Sequence, residues 1–321
     1  MLYRRGFFRS VLLIVLACLC MWSASALGES AAGTPGKADS ATGQTEEVKM
    51  IKFKRLKVPE NTEYLDLGKT VLAYDEYRSF YDFLNKLPNL KRVDMFATRI
   101  PRKRINELVE RFPQVEFGWT MAVGNHSVRT DAIAFSTSHN DRAARHETEE
   151  FTVLKYCKNL MALDIGHNAV KDLSFLYDLP NLRVLILVDN QFQDITPVAS
   201  LKELEYLELF YNDIRDVSAL TALENLKDLN LGFNRIVDIS PLEEMTWLER
   251  LWVPQFNSHN PTKKPDPEAV RKLVEALPDT LVDSTAKTSV GNDWRKHVRY
   301  ENMRQVFKTN EWIPLDTPLK K

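Results

Sequence analysis

The sequence predicts an α/β solenoid with a parallel sheet on its concave side, and three observations carry that expectation. The first is a fixed period. Asn168, Asn190, Asn212 and Asn234 stand 22 residues apart, each closing the pattern L-x-x-L-x-[IL]-x-x-N. The second is a pair of leucine columns, at 160, 182, 204, 226 and 248 and at 163, 185, 207, 229 and 251. The third is a pair of polar ladders, Asp172, Asp194, Asp216 and Asp238 followed by Ser174, Thr196, Ser218 and Ser240. A period in this range marks stacked repeats that bury a continuous core only together.

Within each repeat the x-L-x-[IL]-x segment alternates, so it reads as a short strand with two inward side chains. The Asn after it must turn the chain inward, and its amide can satisfy backbone groups that the turn would leave buried and unpaired. The Ser/Thr position suits the N-cap of one short helical turn. Pro197 and Pro241 follow it, where a missing N–H costs little. The ladders therefore read as structural rather than catalytic.

The ends read differently. Arg4, Arg5 and Arg9, an apolar run from Val11 to Trp22 and Ala24-Ser25-Ala26 form a secretory signal over residues 1–26, with cleavage expected after Ala26. Val15-Leu16-Ala17 before Cys18 leaves lipidation as an alternative, and an uncleaved anchor is another. Removing three arginines takes the net charge from −1 to −4. It also leaves Cys157 as the lone cysteine, in the core leucine column and without a disulfide partner. Residues 27–50 are mostly small and polar, a flexible linker. The protein is expected to be secreted or held at the cell surface.

Residues 51–150 form a less regular half. Strands are expected at Tyr64–Leu67, Val93–Met95 and Val115–Phe117. Between them, Phe80, Phe83, Leu84 and Leu87, and then Ile105, Leu108, Val109 and Phe112, follow helical spacing and stop at proline. Trp119–Phe135 interrupts the array, with a hairpin turning at Gly124-Asn125. Residues 151–253 hold the regular repeats. Residues 254–321 form the C-terminal cap: a helix at Val270–Leu277, a last strand at Leu281-Val282, and a short capping helix from Trp294 to Phe307.

The unit L-x-x-L-x-[IL]-x-x-N-x-[IV]-x-D-[IV]-[ST]-P-L, close over 160–253, resembles the short bacterial leucine-rich repeats of the internalin class. The irregular half, with FPQVEFGWTMAVG and RTDAIAFST, is similar to a type found in secreted leucine-rich-repeat proteins of gut Firmicutes. The resemblance implies a horseshoe with a parallel concave sheet, longer N-terminal repeats, a helical C-terminal cap, and protein binding on the concave side. The sequence shows no wall-sorting motif, Gly-Trp module or Ig-like domain, so wall attachment and host-cell invasion do not carry over.

Enzyme motifs are absent: no G-x-S-x-G, H-E-x-x-H, P-loop or G-x-G-x-x-G, and only 11 scattered glycines. The reading is non-enzymatic, with no cofactor and no metal. His139, Asp141, His146 and Glu147 match no standard metal spacing and read as a polar loop. Asn125-His126-Ser127 is a glycosylation sequon to which no role is given. No basic stripe points to nucleic acid.

The informative positions are the outward strand residues. One column is Asp164, Ile186, Glu208, Asn230 and Trp252; the next holds Val188 and Phe210; the last holds His167, Asp189, Tyr211 and Phe233; Val184 and Tyr206 lie on the other flank. The expected partner site is Val184, Ile186, Val188, Asp189, Tyr206, Glu208, Phe210, Tyr211, Phe233 and Trp252. Aromatics are favoured anchors at interfaces, and an exposed apolar patch marks an interaction surface. The competing reading has the tail or hairpin folding over the patch. Asp164, Asp189, Glu205, Glu208, Asp228 and Glu249 outnumber Arg183, Lys227 and Arg250 here, which favours a partner with a basic rim. A monomer binding a protein is expected. The alternatives are a module for cell-wall or gut glycans, and the accessory part of a hydrolase with its active residues in 119–150.

Overall fold

The computed structural model describes residues 48–98, 100–137, 145–253, 266–286, 288 and 290–318. The expected signal segment, Cys18, His139 and Asp141 lie outside the described residues.

The chain opens with an antiparallel hairpin, β1 (Met50–Phe53) and β2 (Leu56–Pro59). Ile51 and Phe53 are buried, and Phe53 meets the rings of Phe80 and Phe83, both at 5.3 Å. This hairpin covers the first edge of the core, and it begins inside the segment read as linker. Next come β3 (Tyr64–Asp66), α1 (Tyr77–Leu84), β4 (Arg92–Asp94), α2 (Arg102–Arg111) and β5 (Glu116–Gly118). The three strands pair in parallel, and the two helices are the ones their apolar spacing predicts.

A second hairpin, β6 (Thr120–Val123) and β7 (His126–Arg129), separates this sheet from the next. Its turn requires Gly124. The residue sits at φ 57°, and a Cβ there would come within 1.9 Å of the His146 ring. His146 faces Asn125 Oδ1 at 3.1 Å and Glu150 at 3.2 Å, so it braces the hairpin.

The main sheet has seven parallel strands: β8 (Ala134–Ser136), β9 (Ala162–Asp164), β10 (Val184–Ile186), β11 (Tyr206–Glu208), β12 (Asp228–Asn230), β13 (Arg250–Trp252) and β14 (Leu281–Asp283). Two further helices lie among them in sequence, α3 (Thr148–Phe151) and α4 (Pro267–Ala276). The sheet begins at β8, within the segment read from sequence as an interruption. The 22-residue register is confirmed residue by residue: Leu163, Leu185, Leu207, Leu229 and Leu251 are cross-strand partners and fully buried. Burying one such leucine contributes about 1.5–3 kcal/mol. Cys157 shares this core. Burial pushes its thiol up to about 12, which makes it an inert small hydrophobe.

On the convex side each repeat makes one 3-10 turn, at Ser174–Asp178, Thr196–Ser200, Ser218–Ala222 and Ser240–Glu244. The cap chemistry differs from the expectation. The Ser/Thr side chain does not cap the turn. The aspartate two residues earlier accepts the backbone N–H of Ser174, Thr196, Ser218 or Ser240, at 2.8, 2.8, 2.8 and 3.0 Å. An aspartate closes this short loop because its carboxylate reaches the N–H two residues on without help from the turn. The Thr196 hydroxyl, the Ser218 N–H and the Ser240 hydroxyl are the leading causes that hold Asp194, Asp216 and Asp238 below their ordinary pKa.

The asparagine ladder behaves as the sequence predicts. Asn190 Nδ2 donates to Ile165 O at 3.0 Å in the preceding repeat and to Leu187 O at 3.3 Å in its own. Its Oδ1 accepts from Val170 N at 3.0 Å. Each amide thus ties two repeats. Asn190→Ala leaves these buried groups unpaired and should cost about 1–3 kcal/mol, seen as a lower urea midpoint. Hydrogen exchange should place the loss in the two adjoining repeats.

One backbone feature gave no sign in the sequence. The residue before each ladder asparagine is left-handed: His167 at φ 61°, Asp189 at 52°, Tyr211 at 58° and Phe233 at 56°. None is glycine, so each rung carries a local cost of about 1–2 kcal/mol. The ladder bonds offset it.

Candidate functional site: the concave face and its strap

After β14 the chain crosses back over the concave face. A 3-10 turn at Trp294–Lys296 leads into α5 (Val298–Thr309), and residues to 318 complete the strap. His297 caps α5: its Nδ1 accepts from Arg299 N at 3.4 Å. Asn310 ends the helix in a left-handed conformation, φ 57°, which asparagine tolerates. Its Oδ1 accepts from Ile133 N and Ala134 N, both at 3.0 Å. The strap therefore runs from the last strand of the seven-stranded sheet to its first.

The face of α5 turned to the sheet carries Arg299, Asn302, Met303 and Val306, all buried. These positions follow helical spacing, but half are polar. Asn302 Nδ2 donates to Leu315 O and Thr317 O at 2.8 and 2.7 Å, which folds residues 315–317 against the helix. Between sheet and strap lies a second apolar cluster: Ala162, Val184, Ile186, Val188, Tyr206, Phe210 and Trp252 from the solenoid, and Ala286, Trp294, Met303, Val306 and Leu315 from the tail.

Trp294 is the centre of the contact. It is fully buried, with ring centroids 5.6 Å from Tyr206 and 4.8 Å from Trp252. Its Nε1 donates to Glu208 at 2.7 Å. Glu208 also accepts from the Tyr206 hydroxyl and from Arg295 Nη2, the latter at 2.8 Å. The second node is Asp228. It accepts from Arg299 Nη1 at 2.8 Å and Arg250 Nη1 at 3.1 Å, while Arg250 Nη2 donates to Trp294 O at 2.6 Å. Arg299 also pairs with Glu249 and Asp316. Both carboxylates are buried, and every charge here has a partner. Burial raises the pKa of Asp228 against the pull of Arg250 and Arg299. Burial likewise lifts Asp164, opposed by the Gly166 N–H at 3.1 Å.

The expected site residues separate into two groups. Val184, Ile186, Val188, Tyr206, Glu208, Phe210 and Trp252 share the concave face as the register predicts, but they are buried. The expectation of an open patch is corrected for these seven, because the chain's own tail lies on them. Trp252 even donates its Nε1 to Gly291 O at 3.2 Å. The acid excess is corrected in the same way: strap arginines pair with Glu208, Asp228 and Glu249. Asp189, Tyr211 and Phe233 stay at the rim. Tyr211 is 40% exposed and stacks on Phe233 at 4.5 Å, 17° between planes. Asp189 meets His167 Nδ1 and Arg145 Nη2, both at 2.9 Å.

Sequence reasoning placed Trp294–Phe307 as a cap but did not assign Trp294, Arg295 and Arg299 to the concave face. The available signal was charge. Residues 294–308 carry Arg295, Lys296, Arg299, Arg304 and Lys308 against Glu301 alone, facing an acidic sheet.

The strap does not fill the face. A cleft of about 570 Å³ remains between α5 and β8–β10, lined by Asp164, His167, Val188, Arg295, Tyr300 and Lys308 among others. Arg295 lies 5.9 Å over the Phe210 ring, and Phe210 meets Tyr211 edge-on at 5.9 Å, so a chain of ring contacts leads from the cleft wall to the aromatic rim. Among the described residues no three or more His, Cys, Asp or Glu gather as a metal-holding group, and no helix is long and apolar enough to cross a membrane.

A family model agrees with this architecture over the central repeats. The family model for leucine-rich repeats in two copies matches residues 180–222 and 202–244. No curated protein matches the sequence. Among solved structures, an internalin (InlF) from Listeria monocytogenes is 19% identical, covers 62% of this chain and 62% of its own, and superposes with a TM-score of 0.35. A leucine-rich-repeat protein of Leptospira interrogans is 18% identical over 63% of this chain and 50% of its own, TM-score 0.36. Internalin C2 from Listeria monocytogenes is 19% identical over 74% and 80%, TM-score 0.31. The chain thus spans less than two thirds of the first two. It is a leucine-rich-repeat solenoid with remote similarity to internalins and other proteins of that fold.

Proposed function

We propose that this chain is an exported, non-enzymatic protein-binding module that engages its partner on the concave side of the solenoid. The observation that carries this reading is the Tyr211–Phe233 pair. Two large aromatics stand stacked at a rim, in a backbone conformation that costs energy, beside an open cleft. Nothing in the packing of the repeats needs them there, and exposed aromatics of this kind serve as interface anchors. Asp189 extends the rim with a carboxylate.

The double change Tyr211→Ala and Phe233→Ala tests it. Loss of the anchors should weaken partner capture by about 2 kcal/mol or more, while the melting temperature shifts little, since a half-exposed aromatic pair contributes about 1 kcal/mol to folding. Biolayer interferometry against proteins captured by the wild-type chain reads the first quantity, and calorimetry the second. Binding that survives the double change places the partner elsewhere. Retention on a glycan array, sensitive to the same change, would replace protein with carbohydrate as the ligand.

A further inference from the structure

The strap joint has the make-up of an interface between two proteins. A tryptophan fills its centre, aromatics ring it, and charges cross it in complementary pairs. It is also separable from the solenoid core. The core leucines form one apolar cluster, and the residues between sheet and strap form another, with no member in common. Removing the strap would leave the first cluster intact and uncover the second. The bare face would then present apolar side chains around Glu208 and Asp228, and among the described residues of the solenoid Arg250 is the only base that pairs with either carboxylate. Ion pairs of this kind hold less firmly than apolar contacts of equal size, because desolvating both charges offsets most of their attraction. These charges fix the geometry of the joint, and another segment carrying the same groups can make the same contacts.

We propose that the concave face is an acceptor for a basic, tryptophan-bearing helical peptide segment, that the strap is its resident occupant, and that a partner protein carrying such a segment binds by taking the strap's place. The inference rests on the reading of the concave side as the partner-binding side. It adds the partner's chemistry: an indole to reach Glu208, a guanidinium beside it for the same carboxylate, and a second guanidinium four residues on, past an extended residue and in the first turn of a helix, for Asp228. Trp294, Arg295 and Arg299 supply that spacing in the strap.

The probe is a fluorescein-labelled synthetic peptide of the sequence 290–318, added to the full chain. A full-length variant with Arg295→Ala and Arg299→Ala has a weakened strap. It should bind the peptide about tenfold or more tighter than the wild type, whose face is occupied, because truncating one member of a buried charge pair mainly speeds dissociation. A peptide with Trp294→Ala and Arg299→Ala should bind that variant about tenfold or more weaker. Equal peptide affinity for wild type and variant would overturn the proposal. Should the variant not fold, native-state hydrogen exchange on the wild type decides. Excess peptide should raise exchange of the α5 amides and leave the β9–β12 amides protected. Unchanged α5 exchange overturns the proposal. Capture that depends on Tyr211 and Phe233 while the peptide fails to exchange would retain the partner-binding reading and remove only this inference.

Discussion

Trp294→Ala should lower the unfolding free energy by about 3–5 kcal/mol, the range for truncating a fully buried tryptophan. The indole touches Tyr206 and Trp252, and the Arg250 guanidinium lies 4.4 Å over it. The change also takes from Glu208 one of its three donors. Denaturant unfolding followed by far-UV circular dichroism measures the loss. Trp294→Phe keeps most of the apolar area but not the N–H, so it should recover part of the stability and leave the Glu208 deficit. A Trp294→Ala protein as stable as wild type would show that the strap does not dock as described. The same physics changes the expectation for Trp252. An outward-facing strand tryptophan would be nearly neutral to folding, but beneath the strap its truncation belongs with core substitutions.

Asp228→Ala should cost about 3–5 kcal/mol, because it strands Arg250 and Arg299 without their shared carboxylate in a buried site. The two arginines differ in what remains. Arg299 keeps Glu249 and Asp316, whereas Arg250 keeps only the carbonyl of Trp294 and its contacts with indole rings. Following Asp228→Ala with Arg250→Met should therefore restore more stability than following it with Arg299→Met. Equal rescue by both would mean that the two cations share the load evenly. The measurement is the midpoint of chemical unfolding for the single and double variants.

The array was legible because its signals are periodic and its core is strictly apolar. Leu163, Leu185, Leu207 and Leu229 and the asparagines 168, 190, 212 and 234 fix register, curvature side and turn at once. The parts that were not legible lack one of those properties. The β1–β2 hairpin turns through Lys54 at φ 50°, where no glycine announces it. Strand β8 carries only one buried apolar side chain, Phe135, which pairs with Leu163 but stands off the 22-residue spacing. Of the four left-handed rungs, tyrosine and phenylalanine give no hint of positive φ, and aspartate and histidine, which visit it more readily, give only a weak one. The strap was found as a capping helix, but its place over the concave face stood only as the competing reading, since its inward face mixes Arg299 and Asn302 with Met303 and Val306. A hydrophobic stripe says which face is buried; a half-polar one shows it only once its partners, Asp228 and the carbonyls of 315 and 317, are known. The candidate site followed the same rule. Register put ten residues on one face, but register alone carries no information about what covers it.

The strap has a consequence for how the molecule comes apart. A row of repeats, each touching only its neighbours, can melt from either end, one unit at a time. Here the two ends of the row are tied. Asn310 holds the backbone N–H groups of residues 133 and 134, at the start of β8, while Trp294 and Arg299 grip β11 to β13. Peeling the first strand of the main sheet disturbs the same segment that peeling the last one does, so loss at one end is felt at the other. The row behaves as a closed loop, and its cooperativity spans the whole sheet rather than decaying from repeat to repeat. The closure should form late in folding, because contacts between residues about 177 positions apart in the chain carry the largest loop-closure cost until the repeats between them are formed.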